Sequence, residues 1–391
     1  MSAAEMLSLD CFSPLCILGK GSYAHVLLVE PERSVSSHQQ TIEAFALKII
    51  DKVDIEFRNL EESIFLERDI LNRLKDCPFT TNLVACFQGC QEVCFVLEYC
   101  PGGDLFEFSR RNGKLTEQES KFYISQIILA IQAAHNKDIV YRDLKPENIL
   151  IDANGYLKLA DFGRADFLSS KKTLLKGLSG TPQYMAPEMV NGEEYGKCVD
   201  WWAVGCLMFE LLVGKAPFTS TNRKRLYQMI KEEQALFPEF LSKEAKNLIN
   251  NMLCKNPHKR FNDKEIINHD WFKGFNWNEI KDKSRASIWK PEINENLGTQ
   301  NFNKKFIEMD FDSVTSGLSK ENHLKDFYFE SDGLDWIKRF SPYSENDTMS
   351  HNSEFEENDE YDEEDDGYGE LGRCDSDNDY EFEELDSDFG D

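Results

Sequence analysis

Between residues 99 and 103 the chain changes its hydrophobic period, and this change limits the kind of fold it can form. Before it, residues 16 to 50 read as a strand, a glycine-containing turn, a second strand (HVLLVE), a polar loop (PERSVSSHQQT) and a third strand (AFALKII), the pattern of an antiparallel sheet. Residues 57 to 74 then set Ile64, Leu66, Ile70, Leu71 and Leu74 at helical spacing. Two more strand-like runs, TNLVACF and EVCFVLEY, lead to the Pro101-Gly102-Gly103 break. From Leu115 to Trp271 helical periodicity dominates, beginning with TEQESKFYISQIILAIQAAHNK, where Thr116 and Glu119 predict a capping box. Short β-type runs (IVYRD, NILID, YLKLADF) interrupt it. The predicted fold class is therefore α+β in two lobes: a small antiparallel sheet with one helix over residues 12–99, and a larger α-helical lobe over residues 100–272. Cys86, Cys90 and Cys94 are each four apart, a spacing that suits a helix, but VACFQGCQEVCFVLEY is aromatic and β-branched around Gly89 and reads as a hairpin rather than a metal site.

Charge separates the two ends of the chain. Of 71 Asp and Glu residues, 22 lie in residues 343–391 beside a single Arg, so most of the net charge of −27 belongs to a tail expected to be disordered. The body before it is close to neutral. A basic nucleic-acid-binding surface covering the whole protein is not expected from this balance. No run approaches the about 18 apolar residues of a membrane span, and MSAAEMLSLD lacks the basic and apolar regions of a signal peptide. Eleven cysteines without a CxxC pair suggest no disulfide framework. A soluble protein of the cytoplasm or nucleus is expected, without a membrane anchor and monomeric. Because the first lobe begins within a dozen residues of Met1, no further N-terminal domain is expected.

GKGSYAHV holds Gly19, Gly21, Ala24 and Val26. Gly-x-Gly-x-x-small also occurs in dinucleotide folds, but there the glycines open a helix, whereas here they lie between two strands. A glycine-rich hairpin can lay backbone N–H groups over a triphosphate instead. Downstream, AFALK sets Lys48 at a strand end, VYRDLKPENIL holds Asp143, Lys145 and Asn148, LADFGRA holds Asp161, and GTPQYMAPE follows. This ordered set resembles the eukaryotic protein kinase pattern over about residues 12 to 272. The resemblance implies the bilobal protein kinase fold and transfer of the ATP γ-phosphoryl group with Mg2+. Every catalytic position is filled, so a degenerate, inactive relative is not expected.

By that resemblance, Lys48 would bridge the α- and β-phosphates, oriented by Glu67 of SIFLERDIL, with Glu61 and Glu62 as solvated acids of the first helical turn. Asp161 and Asn148 would supply hard oxygen ligands to Mg2+. Asp143 would accept or orient the acceptor hydroxyl, and Lys145 would steady the γ-phosphate. Gly19, Gly21 and Ala24 would cover the phosphates. Val26, Ala46 and Leu150 would line an adenine pocket, with Leu97 guarding its back and the backbone of Glu98 and Cys100 at its edge. Asp200 and the pair of Glu188 with Arg260 are assigned to stability.

Tyr141 ahead of Arg142 in YRDLKPEN, EYCPGGDLF and VDWWAVGCLMFELLVG resemble the AGC group, the relatives of cyclic-AMP-dependent kinase. NHDWFKGFNW, SIWKPEI and GTQNFNKKF resemble the end of that domain and an AGC C-terminal tail, here residues 273–342. HLKDFYFES resembles its hydrophobic motif, with Leu324, Phe327 and Phe329 expected to dock beside the helix of Glu67. Two positions depart from the pattern. Gly177 stands where the resemblance implies a threonine, phosphorylated and paired with Arg142. Thr173 is the expected substitute, with Ser169 or Ser170 as alternatives and a loop ordered without phosphate as another. Tyr328 stands where Ser or Thr is implied.

Asp104, Glu147 and Glu210 match groove carboxylates that pair with Arg, so basic Ser/Thr protein substrates are expected; Asp104 serves the ATP ribose in an alternative reading. In the tail, Phe355, Tyr361, Tyr368, Tyr380, Phe382 and Phe389 interleave with acids. It reads as a solvated tail, a docking segment for a basic partner, or a cover for basic substrate. Two further readings remain. A calcium/calmodulin-type kinase shares MAPE and KPEN, though no basic amphipathic helix follows the domain. A kinase-fold scaffold would bind basic partners through the tail.

Overall fold

Alternating apolar residues in the first hundred positions build one sheet, seen in a computed structural model that describes residues 7–21, 23–32, 44–293, 297–309 and 324–331. Strands β1 (Phe12–Lys20), β2 (Ala24–Pro31), β3 (Phe45–Asp51), β4 (Leu83–Gln88) and β5 (Glu92–Glu98) pair antiparallel in the order β1-β2-β3-β5-β4. The two-residue period sorts the side chains. Leu27, Val29, Leu47, Ile49 and Val96 pack with Leu7, Cys11 and Phe12 on the outer face, whereas Leu28, Ala46, Val26 and Leu97 gather on the other. The cysteine-rich run is the expected hairpin: Cys86 lies in β4, Cys94 in β5 opposite Phe87, and Cys90 is exposed at the turn.

The helix expected over residues 57 to 74 forms over its last 14 residues, and a short helix precedes it. α1 (Lys52–Phe57) ends before Asn59, whose φ of 52° is left-handed and cannot continue a right-handed helix. α2 (Glu61–Leu74) restarts there, with Glu61 and Glu62 in its first turn and Ile64, Glu67, Ile70, Leu71 and Leu74 buried along one face.

Helices form the second lobe: α3 (Leu105–Asn112), α4 (Glu117–Asn136), α5 (Pro187–Val190), α6 (Cys198–Val213), α7 (Arg223–Glu232), α8 (Lys243–Met252), α9 (Asp263–Ile267) and α10 (Trp277–Lys281). The capping box at Thr116 and Glu119 opens α4 as expected, and α4 and α6 are buried nearly all round, the signature of central helices. Four short strands carry the loops between them. β6 (Ile139–Val140) pairs with β9 (Asp166–Phe167), and β7 (Ile149–Ile151) with β8 (Leu157–Leu159). The fold class is the α+β, two-lobed one.

After α10 the chain returns toward the junction of the lobes. Trp289 packs on Phe108 with ring centroids 5.1 Å apart. Further on, Phe302 stacks on Tyr99 at 5.9 Å, Asn301 Nδ2 donates to the Pro101 carbonyl at 2.9 Å, and Arg111 Nη2 donates to the Asn301 carbonyl at 2.9 Å. This approach needs Gly103, which has φ 73° and whose place leaves no room for a Cβ beside the Asn301 carbonyl. α11 (Lys304–Ile307) then packs on β1, and β10 (Phe329–Glu330) adds to the edge of β4, with Phe329 opposite Cys86. The acidic tail and residues 310–323 and 332–342 lie outside the described residues.

In the large lobe Arg260 Nη1 and Nη2 meet Glu188 Oε1 and Oε2 at 2.6 and 2.8 Å, and both side chains are buried. Glu188→Ala strands a buried guanidinium, so a loss of about 3–5 kcal/mol is expected in urea unfolding. Replacing both partners together is expected to cost less than the single change.

Candidate functional site

Strand alternation puts Lys48 on the cleft side of β3, between Val26 of β2 and Phe95 of β5. Its Nζ lies 2.7 and 2.9 Å from Glu67 Oε1 and Oε2 and 3.4 Å from Asp161 Oδ1. Lys48 is 7% exposed and Glu67 4%. Burial pushes the Lys48 ammonium toward losing its proton, but Glu67 and Asp161 more than reverse this and hold it charged. The expected tail contact lies directly behind the pair. Phe327 is fully buried, edge-on to Phe65 of α2 and to Phe95, each at 5.6 Å, and Arg68 Nη1 of α2 donates to the Phe327 carbonyl at 3.2 Å. Leu324 is buried too, and its backbone exchanges hydrogen bonds with the Gln88 amide.

Opposite, the β6–β7 connection presents Asp143, 4% exposed. Asn148 Nδ2 donates to its carbonyl at 2.9 Å and its Oδ2 at 3.1 Å, while Lys145 Nζ stands 3.7 Å from Oδ2. Thr181, which the sequence offered only as a landmark in GTP, donates its hydroxyl to Asp143 Oδ1 at 3.0 Å. The loop is bent at Arg142, with φ 68°, and Asp200 holds the bend: it accepts from the Tyr141 and Arg142 N–H groups at 2.9 Å each and meets His135 Nε2 at 2.7 Å.

Asp161 follows β8 at φ 51°. Burial pushes its carboxyl up, but Lys48, the Gly163 N–H and Lys145 prevail and hold it below the usual carboxylate range. The β1–β2 turn arches over this region, with Gly19 opposite Val26 and the Gly21 N–H bonded to the Ala24 carbonyl at 2.7 Å; Ser22 lies outside the described residues. Sequence reasoning passed over Tyr23. A Cβ on Gly163 would stand 3.3 Å from Asp161 Oδ1, 3.3 Å from Glu67 Oε2 and 3.4 Å from the Tyr23 hydroxyl, so this ring reaches down beside the charged cluster. Its only signal was an aromatic residue inside the glycine-rich turn.

Val26, Ala46 and Leu97 come together with Leu18 and Phe302. Leu150 lies on β7, bridged to Asp104, and Cys100 is buried at the junction. The Glu98 carboxylate is held by Lys158 Nζ at 2.8 Å, and the Glu98 N–H donates to the Asn82 carbonyl at 3.0 Å. Asp104 caps α3 by accepting from the Glu107 N–H at 2.7 Å. Burial, reinforced by Glu107 and Glu147, pushes its carboxyl up to about 6. Glu147 is exposed, and its charge also bears on Glu210, so the three acids share one field. Glu210 is less free than the sequence suggested, because it accepts the Tyr184 hydroxyl. Arg142 meets Asp166, 3.5 Å from Nη2, while Thr173 is exposed.

The model of the protein kinase domain family matches residues 12–272. The chain belongs to the protein kinase domain family. It is 34% identical over 309 residues to the human RAC-beta serine/threonine-protein kinase, covering 78% of this chain and 63% of that protein. It is 34% identical over 330 residues to the yeast serine/threonine-protein kinase YPK1 (Saccharomyces cerevisiae), covering 83% and 47%, and 36% identical over 309 residues to the Caenorhabditis elegans protein kinase C-like 1B, covering 77% and 43%. The chain thus spans less than two thirds of each of these three relatives. They favour the AGC group without singling out cyclic-AMP-dependent kinase. Protein kinases use ATP and Mg2+. The donor set here fits both. The Asp161 side chain is 47% exposed to the cleft, and because the Asn148 amide nitrogen is bonded to Asp143, its carbonyl oxygen is the end left for a cation.

Phe327→Ala removes a ring packed on α2 and β5. A loss of about 3–5 kcal/mol in urea unfolding is expected. Phe329→Ala, at a half-buried position, is expected to cost less.

Proposed function

We propose that the chain is an ATP- and Mg2+-dependent serine/threonine protein kinase of AGC type that prefers acceptors preceded by Arg or Lys. The observation that carries this reading is the meeting of Lys48, Glu67 and Asp161 across the cleft from Asp143, Asn148 and Lys145, in a chain of the protein kinase family. Lys48 holds the α- and β-phosphates, and Glu67 keeps its ammonium aimed into the cleft. Asp161 and Asn148 would hold Mg2+, which would supply positive charge to offset that of the transferring phosphoryl group. Asp143 orients the acceptor hydroxyl, and Lys145 stabilises the γ-phosphate as charge moves. Val26, Ala46, Leu97 and Leu150 enclose the adenine, with the backbone of Glu98 and Cys100 at its edge. Gly19, Gly21 and Ala24 cover the phosphates.

Asp104, Glu147 and Glu210 form the acidic side of the peptide groove, and their shared field supports a basic residue ahead of the acceptor. The acidic tail offers a docking segment for a basic partner. We place the catalytic body over residues 12–272 and its tail over 273–342, in a monomer of the cytoplasm or nucleus.

ATP-dependent labelling of a basic peptide, abolished by Asp161→Ala, is the expected result; labelling that survives this change would overturn the reading, and a peptide array without basic preference would remove its substrate half. A pH dependence follows from Asp104. Its carboxyl is ionised above about 6 and neutral below, so the KM for a basic peptide is expected to rise as pH falls through 6. Asp104→Asn is expected to raise KM at pH 7.5 and flatten that rise.

A further inference from the structure

We infer that Asp166 is a positioning residue that holds Arg142, and with it the loop of Asp143, without any phosphate on the activation segment. The inference rests on the kinase reading above. Arg142 directly precedes Asp143, and each of its three guanidinium nitrogens has a partner. Nε donates to the Arg164 carbonyl at 2.6 Å, Nη2 to the Ala165 carbonyl at 3.4 Å, and Nη2 stands 3.5 Å from Asp166 Oδ2. Nη1 reaches the Tyr195 hydroxyl at 3.5 Å, and that hydroxyl donates to the Gly177 carbonyl at 3.1 Å. The position implied for a phosphothreonine is therefore tied to Arg142 through a backbone carbonyl and a tyrosine.

Gly177 itself has φ 101°, a conformation costly for any residue with a Cβ. The rest of the segment is laid down by backbone. Ile139 and Val140 pair with Phe167 and Asp166, the Leu168 N–H donates to the Asp138 carbonyl at 2.7 Å, and Leu175 and Tyr195 exchange bonds at 2.8 and 2.9 Å. Lys172 Nζ also holds both Asp166 oxygens at 2.9 Å, closing a turn in which the Ser169 carbonyl accepts from the Lys172 N–H.

The charge order matters. A carboxylate already sits against Arg142, so a phosphate arriving there from Thr173 would meet a like charge at close range. Among the described residues, Arg142 is brought to Asp166 and not to Thr173.

The full chain, produced with a co-expressed phosphatase and shown by mass spectrometry to carry no phosphate on residues 164–181, is the test. It is expected to phosphorylate a basic peptide within about twofold of the untreated protein, and Asp166→Asn to lower kcat about tenfold with little change in the KM for ATP, the loss of one ion pair. Asp166→Glu, which keeps the charge, is expected to recover most of that loss. Lys172→Met, which removes only the exposed partner, is expected to stay within about twofold of wild type.

Activity that appears only after phosphorylation of the segment would overturn the inference. So would an Asp166→Asn protein with unchanged kcat, or a Lys172→Met protein that matches it. Amide hydrogen exchange of residues 164–177 reads the brace without reference to activity. It is expected to be slow in the unphosphorylated chain and about tenfold faster in Asp166→Asn. A chain inactive in every phosphorylation state would count against the kinase reading, and the exchange rates would still decide this one.

Discussion

A lysine ammonium cannot be buried without a counter-charge, and at Lys48 the counter-charges come from two other parts of the chain. Taking one ion out of water costs several kcal/mol, so the position is tolerable only when Glu67 arrives from α2 and Asp161 from the loop after β8. The sheet, the helix and the large lobe are thereby held to one arrangement by a single requirement. Phe327 sits one layer further out and acts on the same requirement: by filling the space between Phe65 and Phe95 it fixes the turn of α2 that carries Glu67. A segment 260 residues from Glu67 in sequence thus bears on the geometry of Lys48.

The parts of this site that could be read in the sequence are those whose chemistry is local. Lys48, Asp143, Asn148 and Asp161 announce themselves because short motifs place them, and Glu67 because SIFLERDIL is the best match to the helix that follows Lys48 in the kinase pattern, with Glu61 and Glu62 falling near the helix start. The docking of Leu324 and Phe327 was legible through the resemblance of HLKDFYFES to the AGC hydrophobic motif. What was not legible depends on partners brought in by the fold. Tyr184 takes up Glu210, Thr181 closes on Asp143, and Tyr23 descends from the turn above, none of which any local pattern encodes. The short α1 before Asn59 was missed because six residues are too few to show an apolar period, and the left-handed backbone angle at Asn59 separates it from α2.

Electrostatics divides the cleft region into two fields of opposite purpose. On the groove side Asp104, Glu147 and Glu210 repel one another, and burial adds to that cost at Asp104. Such clustering is stable because hydrogen bonds, from the Glu107 N–H and the Tyr184 hydroxyl, compensate two of the three. On the activation-segment side Arg142 and Lys172 both meet Asp166, at 3.5 and 2.9 Å, while Arg164 stands 3.7 Å from Asp143.

β10 has a further meaning for what counts as the folding unit. β4 lies at the margin of the sheet, and its outward N–H and C=O groups would otherwise be an open template for another chain; β10 covers part of that margin through Ala85 and Cys86. Tyr328, between the two β10-side aromatics, turns the other way and joins Leu7 and Cys11 over the outer face. The family match stops at residue 272, yet the sheet it includes is finished by residues near 330 and roofed by residues before 12. The physical domain is longer than the stretch the family model matches at both ends, and a chain trimmed to residues 12–272 would carry a raw edge and an uncovered apolar face into solution.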